Sequence, residues 1–509
     1  MRDIIFVLDF GSQYSHLIVR RIRELGVIAE LVQCNYPLDK LAQAKGIVLS
    51  GGPQNLSVKG ALHVSKAVFD LGVPILGICY GLQLIAHELG GKVKHARKRE
   101  YGPTCVRIRK SSGLFQNVQG SQMTWMSHGD QVVKLPKGFT ILASSANCPN
   151  VAIAHQKKKI FGLQFHPEVS HTISGKKILA NFVRITGARK IWTMRKFVSK
   201  QVADIKKQVG KQKVVCALSG GVDSSVAATI IHKAVGKQLI CIFVDTGLMR
   251  HGEVEQVKKT FHSYQRVNLK VINAKKQFLL KLKGVIDPEK KRKIIGELFI
   301  RIFERESKKL GKVNWLVQGT LYTDAITSGV SVGKTAVVIK SHHNVGGLPK
   351  KFGFKLIEPF RYLYKDEVRK VGRLLGLPKE VTERQPFPGP GLAVRIIGEV
   401  TEKKLDIVRK ADWIVREEIE KSCWNSKVQQ YFAVLPTIKS VGVQGDARTY
   451  GYPIIVRAVT TKDFMTADWV QLPHKLLAKI SVRITNEIRE VNRVLYDLTS
   501  KPPGTVEWE

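Results

Sequence analysis

A chain of 509 residues, 44% of them hydrophobic, is long enough for two to four domains, and it has neither an apolar run of about 18 residues nor a leader-like start, which argues against a membrane span or a secretory signal. Its seven cysteines include no Cys-x-x-Cys pair, which argues against zinc, iron–sulfur and disulfide frameworks and favours a cytoplasmic location. The 83 Lys and Arg against 41 Asp and Glu give a net charge of +42, but these charges are dispersed. We therefore expect a generally basic surface, either shared with a lysine-rich proteome or suited to anionic nucleotides, rather than specific nucleic-acid binding.

The first ~190 residues alternate short apolar runs with helical patterns. Strands are predicted at residues 4–8, 46–49 and 73–78, with a helix at 82–89 that stops at two glycines. Strands separated by helices predict a parallel sheet. Residues 103–165 are richer in strand patterns.

A second alternating pattern follows a basic helical stretch at about 188–212. It has a strand at 213–218, a helix at 224–234 and a strand at 239–245. The Pro- and Gly-rich run at 384–391 cannot be regular helix or central strand. We therefore expect an α/β chain with two doubly wound domains, at 1–195 and 196–383, and a smaller α+β domain at 384–509.

The first chemical site centres on a cysteine between a strand and a helix, in Gly-Ile-Cys-Tyr-Gly at residues 77–81. Flanking glycines permit a sharp turn, and the helix dipole favours a thiolate at a helix start. A nucleophilic cysteine needs a base, and the base needs an orienting group. Gln-Phe-His-Pro-Glu at 164–168 supplies both, although a single such cysteine is more often a buried apolar residue. The combination predicts a site made of Cys79, His166 and Glu168.

These segments, with Asp-Phe-Gly-Ser-Gln-Tyr at 9–14 and Ser-Gly-Gly-Pro at 50–53, resemble the class I glutamine amidotransferases. The resemblance implies that Cys79 attacks the side-chain amide of glutamine and that His166, oriented by Glu168, moves protons. It also implies that the backbone near Gly52 and Tyr80 forms an oxyanion hole, and that ammonia and glutamate are released.

The second chemical site is a glycine- and serine-rich loop between the strand at 213–218 and the helix that follows. Such a loop brings free backbone N–H groups and hydroxyls to phosphates. It is not a Walker A loop, because the Gly-Lys-Ser/Thr element is absent. Asp223 is a candidate ligand for the Mg²⁺ that accompanies ATP. The predicted ATP-binding residues are Ser219, Gly220, Gly221, Val222, Asp223, Ser224 and Ser225.

This loop resembles the N-type ATP pyrophosphatases, which cleave ATP between the α and β phosphates and adenylylate an oxygen of their substrate. A glutaminase joined to such a domain suggests that ammonia displaces AMP from an activated oxygen. Other enzymes that share this loop are tRNA-thiolating and argininosuccinate-forming ligases, which lack the glutaminase triad. A nucleotide-binding regulator with a decayed triad is a further alternative, and the intact triad argues against it.

The C-terminal third of the chain indicates which molecule accepts the nitrogen. Residues 386–392, 442–448 and 500–509 resemble the glutamine-hydrolysing GMP synthase family, and the likeness covers essentially the whole chain. It implies XMP, ATP and glutamine as substrates, a dimer formed by the C-terminal domain, and no organic cofactor. It also implies Lys340 in a lid over the ATP site. The residues implied for XMP are Arg250, Gln444, Lys501 and Glu507.

Three features depart from the pattern expected of this family. Thr323 stands where a proline is usual. Thr327 stands at or near a position where a glutamate is expected. The strong basicity also departs from a near-neutral or acidic balance. The two threonines put the shape of one loop in question and leave the expected reaction unchanged, and the sequence gives no mechanism for the basicity.

Overall fold

The computed structural model describes residues 3–321 and 354–509, apart from residues 13, 53, 54, 57, 59, 112, 265, 266, 445 and 462–466. The described residues fall into two compact units, the first ending at Phe197 and the second beginning at Val198. None of the described helices is both long and apolar enough to cross a membrane.

The first unit is built on a nine-stranded sheet with the order β2-β1-β3-β4-β9-β8-β7-β5-β6. Neighbours from β2 to β9 run parallel, and those from β9 to β6 run antiparallel. The strands are β1 (Ile4–Asp9), β2 (Ile28–Gln33), β3 (Gly46–Leu49), β4 (Ile75–Ile78), β5 (Lys92–Ile108), β6 (Ser121–Lys134), β7 (Thr140–Ser144), β8 (Ala152–His155) and β9 (Ile160–Leu163). The helices are α1 (Ser15–Glu24), α2 (Leu38–Leu41), α3 (Tyr80–Glu88), α4 (Gly175–Thr186) and α5 (Met194–Val209), the last of which continues into the second unit.

Alternate residues of β1 point to opposite faces of this sheet, as the pleat of a strand requires. Ile5 and Val7 join the core cluster that contains residues of α1 and α4. Phe6 and Leu8 join the cluster that contains residues of α3. Because both faces are covered, β3 and β4 are buried along their whole length, which explains their uninterrupted apolar sequence.

The second unit contains a parallel five-stranded sheet with the order β12-β11-β10-β13-β14. Its strands are β10 (Val214–Leu218), β11 (Leu239–Asp245), β12 (Asn268–Asn273), β13 (Trp315–Val317) and β14 (Lys355–Ile357). The helices of this region are α6 (Val222–Val235), α7 (Glu253–Lys258), α8 (Lys275–Leu282), α9 (Pro288–Lys308), α10 (Lys365–Leu374) and α11 (Lys379–Thr382).

A third, mostly antiparallel sheet lies in the same unit, with the order β15-β16-β18-β17 and with β19 and β20 also paired to β18. Its strands are β15 (Ile396–Ile397), β16 (Gln430–Pro436), β17 (Ser440–Gln444), β18 (Ala447–Thr460), β19 (Asp468–Trp469) and β20 (Val491–Tyr496). Two helices accompany it, α12 (Glu402–Glu420) and α13 (His474–Glu487). One hydrophobic cluster contains residues of the parallel sheet, such as Val215, and of the C-terminal sheet, such as Tyr431.

The predicted α/β class is confirmed by these parallel sheets. The predicted helix at 82–89 is α3, which ends at Glu88 before the two glycines, and residues 384–391 contain neither a regular α-helix nor a strand. The first unit ends close to residue 195, and the second spans both later predicted domains. The division at 383 and 384 therefore stays a prediction.

Candidate active sites

Cys79 lies at the turn between β4 and α3 and is itself the N-cap residue of the helix. Its φ of 53° and ψ of −103° are unusual for a residue with a side chain. The flanking glycines serve close packing rather than the turn, because a Cβ on Gly81 would lie 2.3 Å from the backbone oxygen of Leu49. The expected sharp turn is therefore present, but the cysteine carries the strained conformation.

The imidazole of His166 lies next to the carboxylate of Glu168, with 2.7 Å between Nδ1 and Oε1. Both side chains are buried. The Thr172 hydroxyl donates to the His166 carbonyl oxygen at 2.6 Å, and the Tyr14 ring meets the imidazole edge-on at a centroid distance of 5.1 Å. These contacts fix the orientation of the ring just beyond β9.

Two opposing effects act on the pKa of His166. Burial alone would lower it, because a charged imidazolium loses its hydration. The carboxylate of Glu168 and the hydrogen bond with Cys79 outweigh burial and raise the pKa well above its ordinary value. A cysteine with a histidine next to it, and a carboxylate that orients the histidine, is the arrangement that nucleophilic catalysis by a thiol requires.

A cavity of about 350 Å³ opens onto Cys79. Gly52, Tyr80, Gln83 and His128 also line it. A Cβ at Gly52 would lie 3.3 Å from the Tyr80 ring, so these two residues meet at the cavity wall. The N–H of Tyr80 belongs to the first turn of α3, where amides have no partner within the helix. A small substrate with a developing negative charge next to the thiol therefore suits this cavity.

The glycine–serine loop ends β10 and begins α6, as predicted. Gly220 has a φ of 77°, which only glycine adopts readily, and Gly221 is the N-cap. The hydroxyls of Ser219 and Ser224 lie 3.0 Å apart, and the Gly221 N–H donates to the Ser219 hydroxyl at 3.3 Å. These hydrogen bonds of the serines thus fix the shape of the loop. The N-terminus of α6 begins at this loop, and a helix N-terminus favours a bound anion.

Two cations that the sequence did not single out as site residues border this loop. Lys365, at the start of α10, forms an ion pair with Asp223. Arg384 donates to the carbonyl oxygen of Gly220 and forms an ion pair with Glu253. Burial, together with nearby Arg250, lowers the pKa of Arg384 to about 9. Two cations, each paired with a carboxylate, therefore border the loop.

Arg250 and Glu507 belong to one buried network of charges. Asp412 links the two arginines of this network, lying 3.3 Å from Nε of Arg250 and 2.9 Å from an Nη of Arg395. Arg395 then holds Glu507 with two bonds, of 3.1 and 3.0 Å. The Phe387 ring lies under both guanidinium groups, at 4.4 Å from Arg250 and 5.2 Å from Arg395.

The structure gives less information on the remaining predicted site residues. Lys501 pairs through its backbone with Ala467, which ties the C-terminal segment to the region of β19. Gln444 ends β17, and its side chain lies outside the described part. Lys340, Thr323 and Thr327 also lie outside the described residues.

Comparison with known proteins gives a match over the whole length of the chain. A protein of Carboxydothermus hydrogenoformans, named GMP synthase (glutamine-hydrolyzing), is 56% identical over 512 residues, covering 100% of both chains. The chain belongs to the glutamine-hydrolysing GMP synthase family. Relatives with the same name from Clostridium botulinum (strain Loch Maree / Type A3) and Geobacillus kaustophilus are each 54% identical over 511 residues and are also covered completely.

Family models agree with this membership of the GMP synthase family. The model for class I glutamine amidotransferases matches residues 6–186, and that for the GMP synthase C-terminal domain matches 417–508. A third, for the argininosuccinate synthase N-terminal HUP domain, matches residues 213–284, which contain the phosphate loop. That match agrees with the prediction that argininosuccinate-forming enzymes share this phosphate loop. The glutaminase match and the full-length relatives argue against an argininosuccinate-forming or tRNA-thiolating ligase.

Sequence reasoning missed Arg384, Arg395 and Asp412 in this GMP synthase family member. Arg384 is the first residue of the Pro- and Gly-rich run at 384–391, and Arg395 follows that run closely. Their position around that run was a usable signal. Asp412 lies inside α12 in an ordinary amphipathic pattern, and nothing in its sequence surroundings distinguishes it from a solvated helix residue.

Proposed function

We propose that this chain makes GMP from XMP, with glutamine as the nitrogen donor and ATP as the energy source. The balanced reaction is XMP, ATP, glutamine and water giving GMP, AMP, diphosphate and glutamate. The observation that carries this proposal is the 56% identity, over the full length of both chains, to a protein named as a glutamine-hydrolysing GMP synthase. The pairing of His166 with Glu168 next to Cys79 supports the glutaminase half.

In the glutaminase half, the Cys79 thiolate attacks the amide carbon of the glutamine side chain. The backbone N–H groups of Gly52 and Tyr80 receive the developing oxyanion. His166 gives its proton to the departing ammonia, and Glu168 stabilises and orients the imidazole throughout. Water then attacks the thioester with His166 as the base, which releases glutamate and restores the thiol.

In the synthetase half, the loop from Ser219 to Ser225 holds the phosphates of ATP. The oxygen at C2 of XMP attacks the α-phosphate, and diphosphate leaves. Ammonia then displaces AMP from the activated carbon, forming the amino group of GMP. Lys365 and Arg384 next to the loop stabilise negative charge on the diphosphate.

Asp223 is the residue of this loop that fits a Mg²⁺ ion accompanying ATP. Its Oδ2 pairs with Lys365, whereas its buried Oδ1 has no hydrogen-bond partner among the described residues. A carboxylate oxygen of this kind suits a hard cation. When bound, the ion would neutralise part of the phosphate charge, while Lys365 fixes the orientation of the carboxylate.

XMP would lie against the C-terminal region, with Arg250 and Lys501 near its phosphate and Gln444 and Glu507 near its base. Lys340 would close over the ATP site. The proposed division is a glutaminase domain at 1–195, an ATP pyrophosphatase domain at 196–383 and an XMP-binding, dimer-forming domain at 384–509. We also propose a homodimer and a cytoplasmic location, and no organic cofactor enters the scheme.

A product assay tests the proposal with purified full-length chain, XMP, ATP–Mg²⁺, and either glutamine or ammonium. We expect GMP from both nitrogen sources, with AMP and diphosphate formed in a one-to-one ratio with GMP. Formation of ADP and phosphate instead would refute the adenylylation step. Absence of GMP from both nitrogen sources would refute the assigned acceptor.

A further inference from the structure

We propose that His63, His87 and Glu88 form a binding site for a divalent transition-metal ion of the zinc type on the first unit. Each residue offers one ligand atom, and the three atoms lie within 4.8 Å of one another. This cluster is separate from Cys79, His166 and Glu168, and the proposed reaction uses none of its members.

The distances in the cluster are close to those of a metal site. Nδ1 of His63 lies 3.0 Å from Oε1 of Glu88, and Nδ1 of His87 lies 3.4 Å from the same oxygen. Zinc bonds of about 2.0–2.1 Å in tetrahedral geometry place neighbouring ligand atoms roughly 3.3 Å apart. Small rotations of the two exposed imidazoles would therefore bring all three atoms to bonding distance.

The kinds of ligand indicate which ions would bind. Two neutral imidazoles with one carboxylate suit zinc, cobalt and nickel, whereas magnesium and calcium prefer oxygen alone. Three protein ligands leave a coordination position for water or another ligand. Both histidine rings are about half exposed, so an ion can reach them directly from solvent.

Binding there would join two segments near the glutaminase cavity. His87 and Glu88 lie in the last turn of α3, and Cys79 caps the first turn of the same helix, roughly 13 Å away at 1.5 Å per residue. His63 follows Leu62, whose carbonyl oxygen accepts a hydrogen bond of 2.8 Å from the Tyr80 hydroxyl. An ion would thus fasten the segment around His63 to α3 and add to the bond that Tyr80 already makes.

Cobalt titration of the full-length chain, stripped with a chelator beforehand, is the direct test. We expect one equivalent of Co²⁺ with the visible absorption of a site with nitrogen and oxygen ligands, displaced by Zn²⁺. His63→Ala should weaken this binding at least roughly tenfold, since one of three ligands is lost. His474→Ala is the matched control, because it removes an exposed histidine at the start of α13 and should leave the titration unchanged.

Glu88→Gln separates a metal site from a simple hydrogen-bonded cluster. The amide oxygen still accepts from the imidazoles, so the fold is retained, but the anionic ligand is lost. We expect Zn²⁺ to raise the melting temperature of the wild-type chain and not that of Glu88→Gln. Equal cobalt affinity and stoichiometry in wild type, His63→Ala and Glu88→Gln would overturn the proposal. So would a spectrum showing only thiolate ligation that disappears in Cys79→Ala.

Discussion

Glu168→Gln is the most informative single change in the glutaminase site. Glutamine keeps the shape of the side chain and can still accept a hydrogen bond from Nδ1 of His166, but it carries no charge. Glu168 is fully buried, so its negative charge acts on the imidazole with little screening by water. The substitution therefore isolates the electrostatic contribution of the carboxylate.

The expected size of the effect follows from the geometry. With 2.7 Å between Nδ1 and Oε1, the centres of the two charges are about 4 Å apart. At an effective dielectric constant near 20, that separation corresponds to about 4 kcal/mol. Each 1.4 kcal/mol changes a rate by about tenfold, so we expect glutamine-dependent GMP formation to fall by roughly 1000-fold.

Steady-state rates with glutamine and with ammonium, measured on the same preparation, check this expectation. The ammonium-dependent rate should be unchanged, because it does not require the thiol. A loss of less than tenfold with glutamine would show that the charge of Glu168 contributes little and would refute the reasoning. Parallel loss of both rates would point to a folding defect, which circular dichroism would detect.

The same variant should also change how stability depends on pH. Because the folded-state pKa of His166 is raised, its pairing with Glu168 stabilises the fold fully below the unfolded pKa of about 6.5. That contribution is lost as pH rises through the folded pKa. Glu168→Gln should therefore destabilise the chain more near pH 6 than at alkaline pH in urea unfolding. An equal cost at both would contradict the raised pKa.

Three further changes test the other assignments. Cys79→Ala should abolish GMP formation from glutamine and leave that from ammonium intact; loss of both in a folded protein would contradict two separate sites. Gly81→Ala places a Cβ 2.3 Å from the Leu49 oxygen and should lower the free energy of unfolding by about 1–3 kcal/mol, measured in urea; a neutral result would mean that α3 shifts freely. Lys501→Ala should raise the KM for XMP more than that for ATP, and equal increases would remove Lys501 from the XMP site.

Much of the fold could be predicted because its strands are buried on both faces. β4 and β11 are continuous apolar runs for that reason, and each ends at a turn with a recognisable residue pattern. The C-terminal sheet was predicted only as a coarse class. Its strands share a hydrophobic cluster with the parallel sheet, and such contacts between distant segments leave no periodic signal in a single sequence.

The glutaminase residues could be predicted from the sequence for a similar reason. Cys79 and His166 each follow a buried strand, and parallel strands bring their carboxyl ends to one edge of the sheet, so position in the chain predicts position in space. Lys365 and Arg384 were harder to find. They reach the phosphate loop from segments more than 140 residues away, so their position in the chain did not predict that they lie next to it.

The network around Arg250 shows what a buried charge requires. Arg395 is fully buried, and burial lowers its pKa, but Glu507 and Asp412 outweigh burial and raise it overall. Arg250 is also almost fully buried, and it forms an ion pair with Asp412. Burial outweighs the nearby carboxylates and lowers the pKa of Arg250 to about 9.

No nitrogen of the Arg250 guanidinium makes a hydrogen bond with the described residues. Leaving such a group unsatisfied is costly unless a ligand supplies acceptors. Arg395 has its partners within the fold, whereas Arg250 lacks acceptors that an anion would provide. This difference supports a positioning role for Arg395 and direct contact of Arg250 with the phosphate of XMP.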